Sequence, residues 1–279
     1  MRIYVIGSGG ARYVMMTQMR RTGGLVLEKD NQLIYIDPGP GALIYGRKYV
    51  NLRKVTALLV SHAHLDHSND ANLLIESMTD AGARKRGVLI GSQSVIEGTE
   101  DATPIITKYH RSMLERTVVA GDRTHVEWNN VRVVTYPMQH TDPTCIGFVL
   151  SLGEYRVGYI SDTEFFEELI TVFENMDLLI VCTLRPSGKR IRGHITTDDL
   201  IAIARGCKPR NILMTHFGRQ MLQAGPRREA AKVQMSTGVR TIAAEDGMVL
   251  ELTHEKNLII APGQKVKKDV TKGLEQFLQ

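Results

Sequence analysis

The sequence lacks any long hydrophobic run. No stretch of the 279 residues approaches the ~18 apolar residues that a membrane-spanning helix needs. The first segment has only six residues before its first glycine, which is too short for the apolar part of a secretory signal. These two absences predict a cytoplasmic protein that does not associate with membranes.

Cysteine is also scarce. The chain has three cysteines, Cys145, Cys182 and Cys207, an odd number at wide spacings. They form no C-x-x-C pair and no pattern typical of a disulfide-bonded secreted domain. We therefore expect buried or inert thiols in a reducing compartment.

Neither sign of charge is in large excess. Lysine and arginine number 35 against 30 acidic residues, which gives a net charge of +5 and a pI near 9.1. With 43% hydrophobic and 23% charged residues, the composition excludes wholesale disorder and suffices for one large α/β domain or two small ones. The positive balance favours an anionic substrate such as a nucleotide, although ordinary surfaces often carry a similar surplus.

Apolar runs bounded by turn residues alternate with helical patterns along the chain. The first strand leads into a loop, residues 7–10, for which a tight turn is preferred over an anion-binding loop. Thr196 and Asp199 have capping-box spacing at the start of a helix. The alternation predicts a mixed α/β sandwich rather than a purely parallel sheet. Predicted strands and hairpins cover 1–7, 24–41, 55–62, 87–92, 125–138, 145–162, 177–184, 211–216 and 241–252, and predicted helices cover 69–78, 163–176, 195–206 and 225–238.

The last 17 residues form a lysine-rich tail. We therefore place the catalytic domain at 1–262 and the tail at 263–279. A possible helical stripe in this tail predicts docking on the body or on a partner subunit rather than catalysis. The stripe consists of Val270, Leu274, Phe277 and Leu278.

Three imidazoles and a carboxylate follow one buried strand within six residues. Histidine and aspartate are costly to bury without partners, so this group is unsuited to a core. The spacing can aim His62 and His64 at one cation and Asp66 and His67 at another. The alternative is a chance surface cluster, which is disfavoured because the segment directly follows a buried strand. The four residues are His62, His64, Asp66 and His67.

This segment resembles the H-x-H-x-D-H signature of the metallo-β-lactamase superfamily. Four further family motifs follow the same order as in that superfamily: Asp37, His140, Asp162 and His216. The resemblance spans roughly residues 3 to 252. It implies a four-layer αββα sandwich, a mixed α/β fold with its site along one edge of the paired sheets.

The resemblance also implies a two-metal site. Asp37 would orient a ligand imidazole through a hydrogen bond. Imidazole and carboxylate ligands suit zinc first, and manganese or iron as well. Each of four residues also has a simpler interpretation when taken alone. His140 could be a loop histidine, Asp162 an N-cap, His216 a strand-end histidine and Asp37 a turn-former. The implied ligands are His62, His64 and His140 for the first cation, Asp66, His67 and His216 for the second, and Asp162 as a bridge.

His194 narrows the predicted chemistry. Taken alone it could be a solvated loop histidine. The segment 193–203 is similar to the extra histidine motif of the phosphodiesterase branch, which includes ribonuclease Z and the phosphonate-pathway cyclic phosphodiesterase. In that branch the histidine contacts the scissile phosphate and assists the leaving oxygen. His194 and Asp66 are therefore the predicted catalytic residues.

Several other residues have weaker signals. Four cations before His194 could contact phosphate or form a solvated basic loop. Three methionines after the glycine loop are assigned to packing, and three histidines without motif context are assigned to the surface. The cations are Arg185, Lys189, Arg190 and Arg192. The methionines are Met15, Met16 and Met19, and the histidines are His110, His125 and His254.

The resemblance implies hydrolysis of phosphodiesters by a metal-bridged hydroxide. Only 21 residues separate His140 from Asp162, where ribonuclease Z normally carries a long arm for tRNA. We therefore expect a cyclic or small nucleotide-like diester, or nucleic-acid ends, as substrate. Nucleic acid is a possible partner, and a homodimer is expected because relatives in this branch often form one.

Two alternatives stay open at this point. A thioester, lactone or β-lactam hydrolase on the same scaffold would also use Asp66 and Asp162, although the His194 motif does not favour it. A protein that binds metal or nucleic acid without catalysis could retain the fold. The intact set of ligands argues against the second alternative.

Overall fold

Fifteen strands form two sheets in the computed structural model, which describes residues 1–100 and 103–261. In chain order the strands are β1 (Arg2–Val5), β2 (Leu25–Lys29), β3 (Gln32–Ile36), β4 (Ala57–Val60), β5 (Val88–Ser92), β6 (Arg116–Ala120), β7 (His125–Trp128), β8 (Val131–Pro137), β9 (Ile146–Leu152), β10 (Tyr155–Ile160), β11 (Leu178–Cys182), β12 (Asn211–Thr215), β13 (Arg240–Ala243), β14 (Val249–Leu252) and β15 (Leu258–Ile260).

Short helices connect and cover these strands. In chain order they are α1 (Ala11–Thr17), α2 (Ala42–Gly46), α3 (Leu65–Ser68), α4 (Ala71–Met78), α5 (Gln93–Ile96), α6 (Lys108–Ser112), α7 (Glu168–Val172), α8 (Thr197–Cys207), α9 (Arg219–Ala224) and α10 (Pro226–Thr237), with a 3₁₀ turn at Leu52–Lys54. None of the described helices combines the length and apolar character needed to cross a membrane.

Each sheet joins an antiparallel half to a parallel half. The first sheet has the order β15-β14-β1-β2-β3-β4-β5-β6, and its strands β3 to β6 are parallel. The second has the order β13-β12-β11-β10-β9-β8-β7, and its strands β10 to β13 are parallel. Loops that follow parallel strands emerge on one edge of a sheet, which is where ligands bind in such folds.

The two faces of the first sheet contribute to different hydrophobic cores. Along β3, Ile34 and Ile36 pack between the two sheets, whereas Leu33 and Tyr35 pack under the helices α2 and α4. Successive side chains of a strand point to opposite faces, so burial of both faces requires a continuous apolar run. Helices α8 and α10 cover the second sheet in the same way. The predicted mixed α/β four-layer sandwich is thereby confirmed.

The N-terminus of α8 is fixed by the predicted capping box. The Thr196 hydroxyl accepts a hydrogen bond from the Asp199 amide at 3.2 Å, and the Asp199 carboxylate accepts one from the Thr196 amide at 3.0 Å. Two orphan amide groups are satisfied reciprocally, which holds the preceding loop against the helix start. His194 lies two residues before this cap.

The helix predicted at 163–176 is much shorter than expected, since only Glu168–Val172 (α7) is helical. The residues before it bind the loop that carries His140 instead. The Gln139 amide donates to Thr163 Oγ1 at 2.9 Å, and the Glu164 amide donates to the Gln139 carbonyl at 3.0 Å. Tertiary hydrogen bonds therefore replace the first turns of the predicted helix.

The helix predicted at 69–78 is present as α4, and one of its leucines, Leu73, is 46% exposed. The buried residues are Ala71, Leu74, Ile75 and Met78, which follow the i, i+3, i+4, i+7 spacing of a helix packed on one side. Leu73 lies outside that stripe.

Some elements had no sequence prediction, and some predictions cannot be compared. The short helices α1 and α2 and the edge strand β6 were not predicted. The described residues between α5 and α6 carry no strand. The tail residues Val270, Leu274, Phe277 and Leu278 lie outside the described residues. The domain boundary at 262 stays a prediction.

Candidate metal centre

Four strands of the two sheets end beside one another at a single edge. Asp37 follows β3 directly, and His216 follows β12 directly. His62 and Asp162 each lie two residues beyond β4 and β10. All four side chains are buried, so the sandwich collects polar groups at a place where they need partners.

The first group of donors consists of three imidazoles. His62 Nε2 lies 3.0 Å from His64 Nδ1, which in turn lies 3.1 Å from His140 Nε2. Ring nitrogens that bind one zinc ion at 2.0–2.1 Å in tetrahedral geometry are about 3.3 Å apart. The three nitrogens are therefore placed as ligands of a single cation.

The second group lies next to the first. His67 Nε2 is 2.9 Å from His216 Nε2, and His216 Nε2 is 3.1 Å from Asp66 Oδ2. The Ala11 amide donates to the same Asp66 oxygen at 2.6 Å, which fixes the carboxylate. Two imidazoles and one carboxylate thus converge on a second position.

Asp162 lies between the two groups. Its Oδ2 is 3.5 Å from His67 Nε2 and 3.9 Å from His140 Nε2, while its Oδ1 is 3.2 Å from His216 Nδ1. A carboxylate in this position can bridge two cations. The structure therefore brings together the seven residues that the sequence suggested as ligands.

The donors fit divalent metal ions. Buried polar atoms without a hydrogen-bond partner are few among the described residues, and three of them surround this point: Asp162 Oδ1, His194 Nδ1 and His216 Nδ1. Such atoms are costly unless something satisfies them. Cations held by the two groups would satisfy the free carboxylate oxygen of Asp162 and the ring nitrogens that face one another within each group.

The electrostatics of the centre favour ligand forms of these side chains. Burial lowers the pKa of His62 well below its usual value, so its imidazole is neutral and its lone pair is free. Burial alone would raise the pKa of Asp162, but its interactions with the surrounding histidines, His216 first, hold it well below its usual range. A neutral imidazole and an ionised carboxylate are the forms that bind a metal.

His67 has the opposite shift. Burial would lower its pKa, but the carboxylates of Asp66, Asp162 and Asp37 outweigh that effect and raise the pKa well above its usual value. The surroundings of His67 therefore favour positive charge. A proton or a metal cation can supply that charge.

Asp37 orients ligands of both groups. Its Oδ2 accepts a hydrogen bond from His67 Nδ1 at 2.9 Å, and its Oδ1 accepts one from the Ser61 amide at 2.7 Å. The Ser61 hydroxyl donates to Asp37 Oδ2 at 2.7 Å and accepts from His62 Nδ1 at 2.9 Å. These bonds fix Nδ1–H tautomers and leave Nε2 of both histidines free for metal.

His194 lies beside both groups but outside their closest contacts. Its Nδ1 is 3.5 Å from Asp162 Oδ2, and its ring centroid is 4.9 Å from that of His140. The Gly193 carbonyl accepts a hydrogen bond from His140 Nδ1 at 2.8 Å. The loop before α8 therefore both orients a ligand and places a further imidazole at the centre.

The family assignment follows from comparison with known proteins. The family model described as the beta-lactamase superfamily domain matches residues 32–217, which is well over half of the chain. The chain belongs to this superfamily. The membership predicted from the H-x-H-x-D-H segment is confirmed.

Two relatives of this superfamily member match in sequence. It is 34% identical over 261 residues to the uncharacterised protein MJ1374 of Methanocaldococcus jannaschii, and the match covers 92% of this chain and 97% of that protein. Ribonuclease Z of Treponema pallidum is 22% identical over 148 residues, which cover 53% of this chain and 46% of that protein.

Solved structures share the superfamily fold. The metallo-β-lactamase fold protein YhfI of Bacillus subtilis has a TM-score of 0.73 at 20% identity, covering 89% of this chain and 98% of that one. Zinc-bound PqqB of Methylobacterium extorquens has a TM-score of 0.67 at 15% identity, covering 90% and 100%. A diphosphatase of the PhnP family has a TM-score of 0.63 at 19% identity, covering 90% and 97%.

Asp142 supports the superfamily centre and had no sequence signal. Its Oδ2 accepts hydrogen bonds from the Ala63 amide at 3.1 Å and from the Ser94 hydroxyl at 2.6 Å. Its Oδ1 accepts from the Thr144 amide and hydroxyl, both at 2.9 Å. Burial would raise the pKa of Asp142, but these bonds lower it. One carboxylate thus ties the loop between His62 and His64 to the loop after His140.

Tyr159 was also missed. Its hydroxyl donates to Asp37 Oδ2 at 2.7 Å, across 122 residues of the chain. Residues 155–160 read as an ordinary strand, and no local pattern distinguishes a tyrosine that binds a carboxylate from one that packs in a core. Tyr159 completes the set of donors to Asp37.

The glycine loop is a structural turn rather than an anion-binding loop. All four of its amides donate to protein acceptors at 2.9–3.3 Å, so none is available to an anion. This agrees with the preferred interpretation of the sequence. The Gly7 amide donates to the Gly24 carbonyl, Ser8 to Asp246 Oδ1, Gly9 to the Arg21 carbonyl and Gly10 to the Phe217 carbonyl.

The basic loop is only partly engaged. Arg190 forms an ion pair with Asp199 at 2.7 Å, while Lys189 and Arg192 are exposed and Arg185 is half-buried. Among the described residues, none of these four side chains contacts a proposed metal ligand. Their contribution to phosphate binding stays a prediction.

The remaining sequence assignments have mixed outcomes. His125 and His254 are exposed as predicted, whereas His110 is half-buried and its Nε2 lies 3.3 Å from Glu76. Met16 was assigned to packing, but 74% of its surface is exposed, and Met19 is exposed too. These methionines belong to the short helix α1 and the turn after it, which lie at the rim of the centre rather than in the core.

The three thiols are buried and unpaired with one another, as predicted. Burial raises the pKa of Cys145 and Cys182 well above the usual value and that of Cys207 to about 12. Protonated, buried thiols are poor nucleophiles. We therefore do not expect any of them to act as a nucleophile at neutral pH.

Proposed function

We propose that this chain is a binuclear metal-dependent phosphodiesterase that acts on cyclic or small nucleotide-like diesters or on nucleic-acid ends. The superfamily fold and the convergent donors support a metal-dependent hydrolase. The position of His194 supports phosphodiester hydrolysis in particular. Its imidazole belongs to neither ligand group but faces the carboxylate of Asp162, which lies between them.

The state of His194 suits contact with an anion. Burial lowers its pKa to about 4, so the imidazole is neutral near pH 7 and can donate an N–H to a phosphoryl oxygen. An anionic substrate next to the ring would raise that pKa and favour protonation. His194 is then able to pass a proton to the departing oxygen or to stabilise its charge.

The metal pair accounts for the rest of the site. Zinc is our first choice because imidazole and carboxylate donors suit it and a zinc-bound protein shares the fold; manganese and iron also fit these donors. When bound, two cations supply an acidified water and positive charge for the phosphoryl oxygens. His62, His64 and His140 would hold one, Asp66, His67 and His216 the other, and Asp162 would bridge them.

The surroundings support a small substrate. The 21 residues between His140 and Asp162 form the β9–β10 hairpin and its approaches, without an added arm. Ribonuclease Z and a PhnP-family diphosphatase, two phosphate-ester enzymes by name, are among the similar proteins. The net charge of +5 also favours an anionic substrate.

Metal analysis combined with an ester panel tests the proposal. Protein loaded with zinc, manganese or iron would be assayed on bis(p-nitrophenyl) phosphate and, in parallel, on an aryl thioester and a lactone. We expect turnover of the phosphodiester that chelation abolishes. Preferential hydrolysis of the thioester or lactone, or bound metal without turnover of any ester, would contradict the proposal.

Two substitutions separate the roles of the histidines. His64→Ala should lose metal and turnover together. His194→Ala should keep the metal and lose about 10²- to 10⁴-fold in kcat, the usual contribution of general acid–base groups. His125→Ala, at an exposed histidine remote in sequence from every ligand, is the matched control and should leave both properties unchanged.

A further inference from the structure

A tyrosine and an arginine from two different helices pair at the rim of the metal centre. The guanidinium carbon of Arg219, the first residue of α9, lies 4.8 Å from the ring centroid of Tyr13 on α1. Tyr13 is 45% exposed, and Arg219 is exposed as well. The pair therefore presents an aromatic ring and a cation to solvent rather than filling a core.

Both helices are anchored directly to proposed ligands. The Ala11 amide, at the start of α1, donates to Asp66 Oδ2 at 2.6 Å, and Tyr13 follows two residues later. Arg219 lies three residues after His216, and the Gly10 amide bonds the Phe217 carbonyl at 3.3 Å. These short chain distances place the pair beside the second group of donors.

The same rim has further exposed apolar surface. Met16, one helical turn after Tyr13, is 74% exposed, and Leu65, next to Asp66, is 53% exposed. Exposed apolar side chains beside a charged centre can contact the apolar part of a bound substrate. A ligand that reaches from the metal centre to this apolar surface would have a charged end and a flat apolar end.

We propose that Tyr13, backed by Arg219, stacks a nucleobase-like ring of the substrate whose phosphate lies at the metal centre. The inference rests on the proposed phosphodiesterase function and adds its specificity-determining residues. Aromatic side chains stack on bases of any sequence, and a guanidinium beside the ring adds attraction for a phosphate or for the base itself. The substrate class would thus be nucleotides rather than simple sugar or alkyl phosphates.

Binding of two matched monophosphates tests this inference without turnover. Calorimetry on the metal-loaded protein would compare adenosine 5′-monophosphate with ribose 5-phosphate, which differ only in the base. We expect adenosine monophosphate to bind about 5- to 150-fold more tightly, as stacking of one base implies. Tyr13→Ala should remove most of this ratio and Tyr13→Phe should keep it, while Tyr109→Ala, at another exposed tyrosine, serves as control.

Three outcomes would overturn the inference. The two ligands could bind equally well to the wild type, or Tyr13→Ala could leave their ratio unchanged. Light scattering could also show that Tyr13→Ala dissociates a dimer while the ratio is preserved, which would assign this face to a second copy of the chain. The bis(p-nitrophenyl) phosphate assay is independent, so its failure would remove the proposed function while the binding ratio still reports on Tyr13.

Discussion

Gly10 leaves room for the imidazole of His216. A methyl group built on Gly10 would lie 2.1 Å from Cδ2 and 2.2 Å from Nε2 of that ring. Real side-chain carbons do not approach so closely, and the ring cannot yield, because Nε2 belongs to the second group of donors. His216 itself has a positive φ of 61°, so its backbone is already in a restricted conformation. The glycine loop therefore positions a ligand through its missing side chain.

Gly10→Ala should weaken metal binding at the second group. Changes to the residues that hold a metal ligand in place typically cost about 10- to 100-fold in metal affinity or activity. Competition with a chelator, followed by metal analysis, would measure the loss. Gly121→Ala is the matched control, because a methyl group there meets nothing within 4 Å. Equal metal affinity of Gly10→Ala and the wild type would show that the ring can move without consequence.

Asp142→Asn should destabilise the protein and loosen the first group. The carboxylate accepts four hydrogen bonds, whereas an amide would turn an NH₂ group toward donors that need an acceptor. Leaving buried donors unsatisfied costs about 1–3 kcal/mol in the free energy of unfolding. Denaturant unfolding would measure this cost in the metal-free protein.

A graded control accompanies the substitution of Asp142. Ser94→Ala removes one of its four donors and should cost about 1 kcal/mol. If Asp142→Asn costs no more than Ser94→Ala and metal affinity is unaltered, Asp142 has no positioning role.

Several of the proposed ligands could be located from the sequence because they follow apolar strands. Burial of a strand on both faces gives a continuous apolar run, and the polar residue at its end must lie at the edge of the sheet. His62, Asp162 and His216 all follow this rule, and Asp37 does too. The local pattern thus predicted a mixed α/β sandwich with polar residues at its edge, whereas the four-layer arrangement and the complete set of ligands came from the resemblance to the metallo-β-lactamase superfamily.

The residues that position these ligands could not be predicted, because their roles depend on distant contacts. Asp142 binds the Ala63 amide across 79 residues, and Tyr159 binds Asp37 across 122. No local pattern records which strand ends will meet. The shortened α7 has the same cause, since Thr163 and Glu164 bond the His140 loop rather than their own helix.

The metal-free protein should lose stability as the pH falls from about 6.5 to about 4, in part through His194. Burial lowers the pKa of His194 from 6.5 to about 4, so in this window the unfolded chain binds a proton that the folded protein does not. The folded state is therefore favoured above this window and loses that advantage as the pH falls. The difference amounts to at most about 3 kcal/mol.

Unfolding in the presence of a chelator at several pH values would test the contribution of His194. His194→Gln cannot protonate, so its stability should fall less steeply than that of the wild type between pH 6.5 and 4. His125→Gln, at an exposed position, should follow the wild-type curve. Parallel curves for the wild type and His194→Gln would refute the assignment.

Asp162→Asn should reduce the bound metal from two ions to one or none. The carboxylate lies 3.5 Å from His67 Nε2 and 3.9 Å from His140 Nε2, so it is the one donor shared by both groups. An amide carries no charge to hold two cations together, and their mutual repulsion then acts without compensation. Elemental analysis and chelator competition would count the ions, with the exposed Asp122→Asn as control.

Two ions bound with wild-type affinity in Asp162→Asn would mean that the two positions are independent and that the bridging role is wrong. If one ion is lost and the other stays bound, adding His64→Ala would show whether the first group holds the remaining ion.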